Sequence, residues 1–172
     1  DVPVRYIYGQ GFIRKTSDLK KPERIIRHPL MKSIPHSKSF SVLLGYYRTL
    51  SAYHMLKRNL RICLMLRKKI VELYTASPHM IGEDIENYIN VNYGLLITAS
   101  DMKDTEVIEK TIRQLTQLTG QVKYPVPPIM EARVFHLQYF YTLRSLMQKH
   151  DFKKAAELEQ TVMRGIEHRK SS

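Results

Sequence analysis

Cysteine occurs once, tryptophan not at all, and glycine only seven times in 172 residues. A disulfide framework, a thiolate zinc site and a collagen-like repeat each need residues that are missing here, so all three are excluded. No apolar run approaches the roughly 20 residues of a membrane span. The stretch from Leu60 to Leu66 stops at Arg67-Lys68-Lys69. No charged-then-apolar leader opens the chain, which begins on Asp1 as a fragment or processed product would. The lone Cys63 sits among apolar residues, where a free thiol behaves as a small hydrophobe and suits a reducing compartment. The expectation is a soluble, cytoplasmic protein without a membrane span.

Acidic residues are scarce in the first part of the chain. Residues 1–71 hold 16 Lys and Arg against 3 Asp and Glu, whereas residues 72–172 hold 12 against 13, so the whole formal charge of +12 arises before residue 72. A one-sided basic field attracts phosphate backbones, anionic lipid or an acidic protein surface.

Catalytic and metal-binding patterns are also missing. The seven histidines form no His-Glu-x-x-His pair, and His28, His36, His54 and His79 lie on different predicted elements. Gly9-Gln10-Gly11 begins like a dinucleotide loop, but Arg14 stands where the third glycine belongs. The carboxylates Glu83, Asp84 and Glu86 fall at a helix start, where the helix dipole accounts for them. With no Gly-x-Ser-x-Gly elbow either, the sequence predicts no enzyme, no cofactor and no metal site.

The segments that remain are helical. Residues 1–36 carry Pro3, Pro22, Pro29 and Pro35 and read as an irregular basic arm, with a short strand over Val4–Tyr8 and a helical turn or two over Lys21–Arg27. Residues 37–172 form one helical domain. Phe40, Leu43, Leu44, Tyr47 and Leu50 mark a first helix ending near Lys57 to Asn59. Leu60, Cys63, Ile70 and Tyr74 mark the buried side of a second, with Arg61, Arg67, Lys68 and Lys69 mostly on the wet side. A third helix opens at Glu83-Asp84. A fourth is capped by Asp104 and stops at Gly120 through a left-handed cap. A fifth begins at Pro128, and Asp151 caps the sixth.

These six helices make three pairs, each with a short internal turn that renders its members antiparallel neighbours. The turns near Asn59, Asp104 and Asp151 are 45 and 47 residues apart, an interval that marks stacked helical hairpins rather than a closed bundle. Around the third turn, Tyr139, Leu143, Leu146, His150-Asp151-Phe152 and Ala155 resemble the tetratricopeptide repeat. Around the first, Tyr47, Leu50, Ser51, Leu60 and Cys63 are similar. The interval exceeds that family's period of about 34. Pro78 to Leu96 also looks like a segment of uncharacterised bacterial proteins built from such hairpins.

The resemblance implies an all-α fold of three stacked antiparallel pairs, an α-solenoid that could be one piece of a longer array. It also implies an interaction scaffold holding a protein, a peptide or a partner helix in the groove lined by the first helix of each pair. That family holds carboxylates there with Lys, Arg and Asn, and the matching residues are Arg48 and Arg144. The alternative is nucleic-acid association through the basic region 1–71, with Arg58, Arg61, Arg67, Lys68 and Lys69 as the anionic-partner patch.

Overall fold

The computed structural model describes residues 16–37, 39–121 and 125–170, so the expected strand over Val4–Tyr8 lies outside the described residues. Among the described residues every regular element is helical. In chain order the α-helices are α1 (Lys20–Ile26), α2 (Leu30–Ser33), α3 (Phe40–Leu56), α4 (Leu60–Ala76), α5 (His79–Glu83), α6 (Ile85–Asp101), α7 (Thr105–Thr116), α8 (Leu118–Gln121), α9 (Pro128–Gln148) and α10 (Phe152–Lys170). The six long ones coincide closely with the six expected from apolar periodicity. No described helix is long and apolar enough to cross a membrane.

Two compact units divide at Thr98/Ala99, within α6. In the first unit α3 packs along α4 and α1 packs on α3. The expected arm is thus partly docked in its described portion. Pro22 is buried in the first turn of α1, where its missing N–H leaves no orphaned donor. Glu23 accepts a hydrogen bond from the Tyr53 hydroxyl at 3.1 Å and lies 3.7 Å from Lys57 Nζ. The helix α6 meets α4 through edge-on rings of Tyr74 and Tyr88, 5.1 Å between centroids, and through Cys63 Sγ, 3.8 Å from Thr98 Oγ1. Ala52, Cys63, Ile89 and Leu96 are fully buried there. In the second unit α9 packs on α7 and on α10. Ala99, Ile108, Leu115 and Leu118 are its most enclosed apolar residues.

Three connections share one geometry. Arg58, Lys103 and His150 have φ of 55, 58 and 59°, the left-handed region. Each donates its N–H to the carbonyl three residues back, and the following residue donates to the carbonyl five residues back: Asn59 to His54, Asp104 to Ala99, Asp151 to Leu146. That second bond closes the Schellman ring at a helix end. The side chain of the same following residue then caps the next helix, accepting from Ile62, Val107 and Lys154 N–H at 3.4, 3.1 and 3.3 Å. Five residues past each left-handed residue stand Cys63, Ile108 and Ala155, all buried.

Two expectations are corrected. Gly120 is not the left-handed stop of the fourth helix. That helix, α7, ends at Thr116, and Gly120 lies inside the separate turn α8 with open space around it. The third long helix does not open at Glu83, which ends the short α5. Asp84 follows as the cap, its Oδ1 accepting from Asn87 N–H at 3.0 Å.

One half-buried group makes stability respond to acid. His54 Nδ1 is enclosed with no hydrogen-bond partner among the described residues, and burial, reinforced by Lys57, lowers the imidazole pKa below its ordinary value of 6.5. The unfolded chain therefore takes up a proton at higher pH than the folded one, so stability present above pH 6.5 is lost as the pH falls toward the folded value. Urea unfolding midpoints are expected to fall between pH 7 and pH 5, and to fall less in His54→Gln. An identical decline in that variant would assign the effect to other groups.

Candidate functional site

The first unit contains a polar cleft, built from one face each of α3, α4 and α6. Its centre is Asn87, whose amide bridges two helices: Arg48 Nη1 on α3 donates to Asn87 Oδ1 at 3.1 Å, and Asn87 Nδ2 donates to the Tyr74 hydroxyl on α4 at 2.9 Å. These two bonds fix which way the amide faces. Burial above all, with the Asp84 charge behind it, pushes the Tyr74 hydroxyl up to about 12, against the opposing Asn87 hydrogen bond and Arg48 charge. Tyr74 therefore stays neutral at physiological pH and remains a fixed acceptor for Asn87.

Two spaces that share lining residues flank this bridge. The outer cleft, of about 470 Å³, is lined by Ser41, Arg48, Asp84, Glu86, Asn87 and Asn90. The inner one, of about 190 Å³, shares Arg48, Asn87 and Asn90 and adds Ser51, Arg67 and Gly94. Ser51 is buried and donates to the Arg48 carbonyl at 3.0 Å. Arg67 is 7% exposed. Its Nη1 donates to the Gly94 carbonyl and to Thr98 Oγ1, both on α6. Gly94 makes that approach possible, since a Cβ there would lie 3.3 Å from Arg67 Cζ. A glycine in a helix interior costs about 1 kcal/mol relative to alanine, and here the exchange is a guanidinium laid against the helix backbone.

The residues singled out in the sequence separate accordingly. Arg48 belongs to the cleft. Arg144, in the second unit, is a partly exposed arginine on α9 with Nη2 3.4 Å from Asp101 Oδ1. Arg58 sits at the left-handed turn before α4, and Arg61, Lys68 and Lys69 are exposed along α4, with Lys69 3.2 Å from Glu72. Arg67 alone of these five is buried, because it lies on the α4 stripe that faces α6, and it is not available to a partner at the surface of that patch.

Asn87, Asn90 and Gly94 were not singled out in the sequence, although their spacing of three and four residues places them on one helical face. Among the described residues no cluster of His, Cys, Asp and Glu could hold a metal ion. No protein-family model matches the chain, and no curated protein or solved structure does.

Proposed function

We propose that the chain is an interaction module without chemistry of its own: helical hairpins stack as in tetratricopeptide-like arrays and receive a peptide or partner helix in the cleft of the first unit. The observation that carries this reading is the Arg48–Asn87 bond between α3 and α6, the first helices of two successive hairpins. The threefold turn geometry supports the repeat. The lining of the cleft is polar, with the Asn87 and Asn90 amides and the Arg48 guanidinium on it, residue types that suit a peptide backbone and an acidic side chain. The buried thiol Cys63 suits a reducing, cytoplasmic setting.

Screening the full chain against an array of acidic peptides, followed by fluorescence anisotropy on the hits, tests the reading. Arg48→Glu is expected to weaken binding at least about tenfold, the scale of a lost charge-assisted hydrogen bond. Affinity unchanged in Arg48→Glu combined with Arg144→Glu would remove both arginines from the site.

A second reading, nucleic-acid association, rests on the exposed Arg58, Arg61, Lys68 and Lys69 along α4 and its entry turn. Filter binding at two salt concentrations separates the two readings, because phosphate contacts must weaken as salt rises.

A further inference from the structure

We propose that the apolar groove between α1 and α2 is a second docking surface, shaped for the apolar ridge of an acidic amphipathic helix carried by a partner protein. Lys21, Arg24 and Ile25 stand three and four residues apart and so share one face of α1. Pro22 and Glu23 occupy the opposite face, which is committed to α3 through the burial of Pro22 and the Glu23–Tyr53 bond. The first face is therefore turned away from α3. His28 continues it past the end of the helix, and its Nδ1 accepts from Leu30 N–H at 3.3 Å across the turn into α2. Leu30, Met31 and Ile34 complete the lining.

The groove encloses about 670 Å³, within the roughly 300–1,000 Å³ of ligand sites. Its walls are aliphatic and its rim is basic. Ile25, Met31 and Ile34 are half-buried, Leu30 is 68% exposed, and Lys21, Arg24 and His28 are exposed beside them. No described residue that lines the groove is acidic. Glu23, the acid that stands between Lys21 and Arg24 in sequence, is turned to Tyr53 and Lys57 instead.

These two features select the occupant. Aliphatic walls favour several large apolar side chains in a row, which an amphipathic helix presents at three-and-four spacing, and the Met31 thioether adapts to their shape. Lys21 and Arg24 favour carboxylates on both sides of that ridge. A phosphate backbone would leave the aliphatic walls in water. A second copy seated by twofold symmetry would bring the basic rim against itself, since residues 16–37 hold five Lys and Arg against two acids. A bilayer takes up side chains that protrude into it, whereas Ile25, Met31 and Ile34 are walls of a concavity. The groove shares no lining residue with the cleft of α3, α4 and α6.

Fluorescence anisotropy on the full chain tests this with a labelled peptide of about 18 residues, long enough to hold a helix, with leucine on one face and glutamate on the others. A scramble of the same composition that breaks up the leucine face, and a version with lysine in place of glutamate, are the controls. Saturable binding is expected, at least about tenfold tighter than that of either control. Leu30→Asp and Arg24→Glu are each expected to weaken it at least about tenfold, and both alter exposed side chains outside the packed core. Arg48→Glu, in the cleft, is expected to leave it unchanged. Absent or unsaturable binding overturns the proposal, as does equal affinity for either control or affinity unchanged in Leu30→Asp or in Arg24→Glu. A loss in Arg48→Glu with none in Leu30→Asp places the peptide in the cleft and overturns the groove alone. Where the peptide does not bind, pelleting with phosphatidylserine vesicles that Leu30→Asp abolishes assigns the groove to a lipid surface. A dimer in sedimentation velocity that the same variant dissolves assigns it to a second copy.

Discussion

Gly94→Val is expected to lower the free energy of unfolding by about 2 kcal/mol, although valine is the better helix former by several tenths of a kcal/mol. The reason is the 3.3 Å that separates a Cβ at this position from Arg67 Cζ, with Nε and Nη1 only 3.5 Å away. Two γ-methyl groups cannot enter that space while the guanidinium stays on the α6 backbone. Arg67 must release the Gly94 carbonyl and Thr98, and a charge that was hydrogen-bonded becomes a charge poorly met. A double-mutant cycle isolates the cause. In an Arg67→Met background the same valine is expected to cost little or to stabilise, because a flexible thioether accommodates it and no charge is displaced. Equal losses in both backgrounds, measured by urea unfolding, would show that Gly94 is required by something other than Arg67.

The same pair shows where reading the sequence stops. Leu60, Cys63, Arg67, Ile70 and Tyr74 follow one another at spacings of three and four, so periodicity alone puts Arg67 on the buried stripe of α4. Its charge argued for water, and charge is the usual guide. What overrides it is a partner 27 residues away, a glycine whose missing side chain is informative only once α6 is known to lie against α4. Long-range complementarity of this kind leaves no local pattern. The arm is a similar case. Its prolines and basic residues promised irregularity, yet the acid Glu23 reaches Tyr53 and Lys57 and ties α1 to α3.

The caps were legible because their mechanism is local. Asp104 and Asp151, read as caps, have short side chains that accept from the backbone three positions on, and both do so; Asn59, read only as the end of the first helix, does the same. Pro128 at the start of α9 follows the same logic, since its fixed φ suits a first helical turn and its missing N–H removes an orphaned donor. The left-handed residues were not legible. Glycine is the residue to look for at such a position, and Gly120, which met that description, lies in an ordinary helical turn.

Replacing those three left-handed residues by the one that accepts the conformation without cost is expected to stabilise the chain at every turn. Arg58, Lys103 and His150 each carry a Cβ at φ between 55 and 59°, where an L-residue loses about 1 to 2 kcal/mol through crowding against the following carbonyl. Glycine removes that strain and returns part of the gain through the greater freedom of its unfolded chain. The net expectation is about 0.5–1 kcal/mol for each of Arg58→Gly, Lys103→Gly and His150→Gly. The turns share no hydrogen-bond partner, so the effects should add to about 2 kcal/mol in the triple variant and raise Tm by roughly 4–8 °C. Alanine at the same positions keeps the Cβ and should give no gain, while asparagine, which tolerates the left-handed region, should fall between the two. The comparison also tests the repeat. Three equal increments follow if one turn geometry recurs at intervals of 45 and 47 residues, whereas a gain confined to one or two positions would mean that the likeness of the connections does not extend to their energetics.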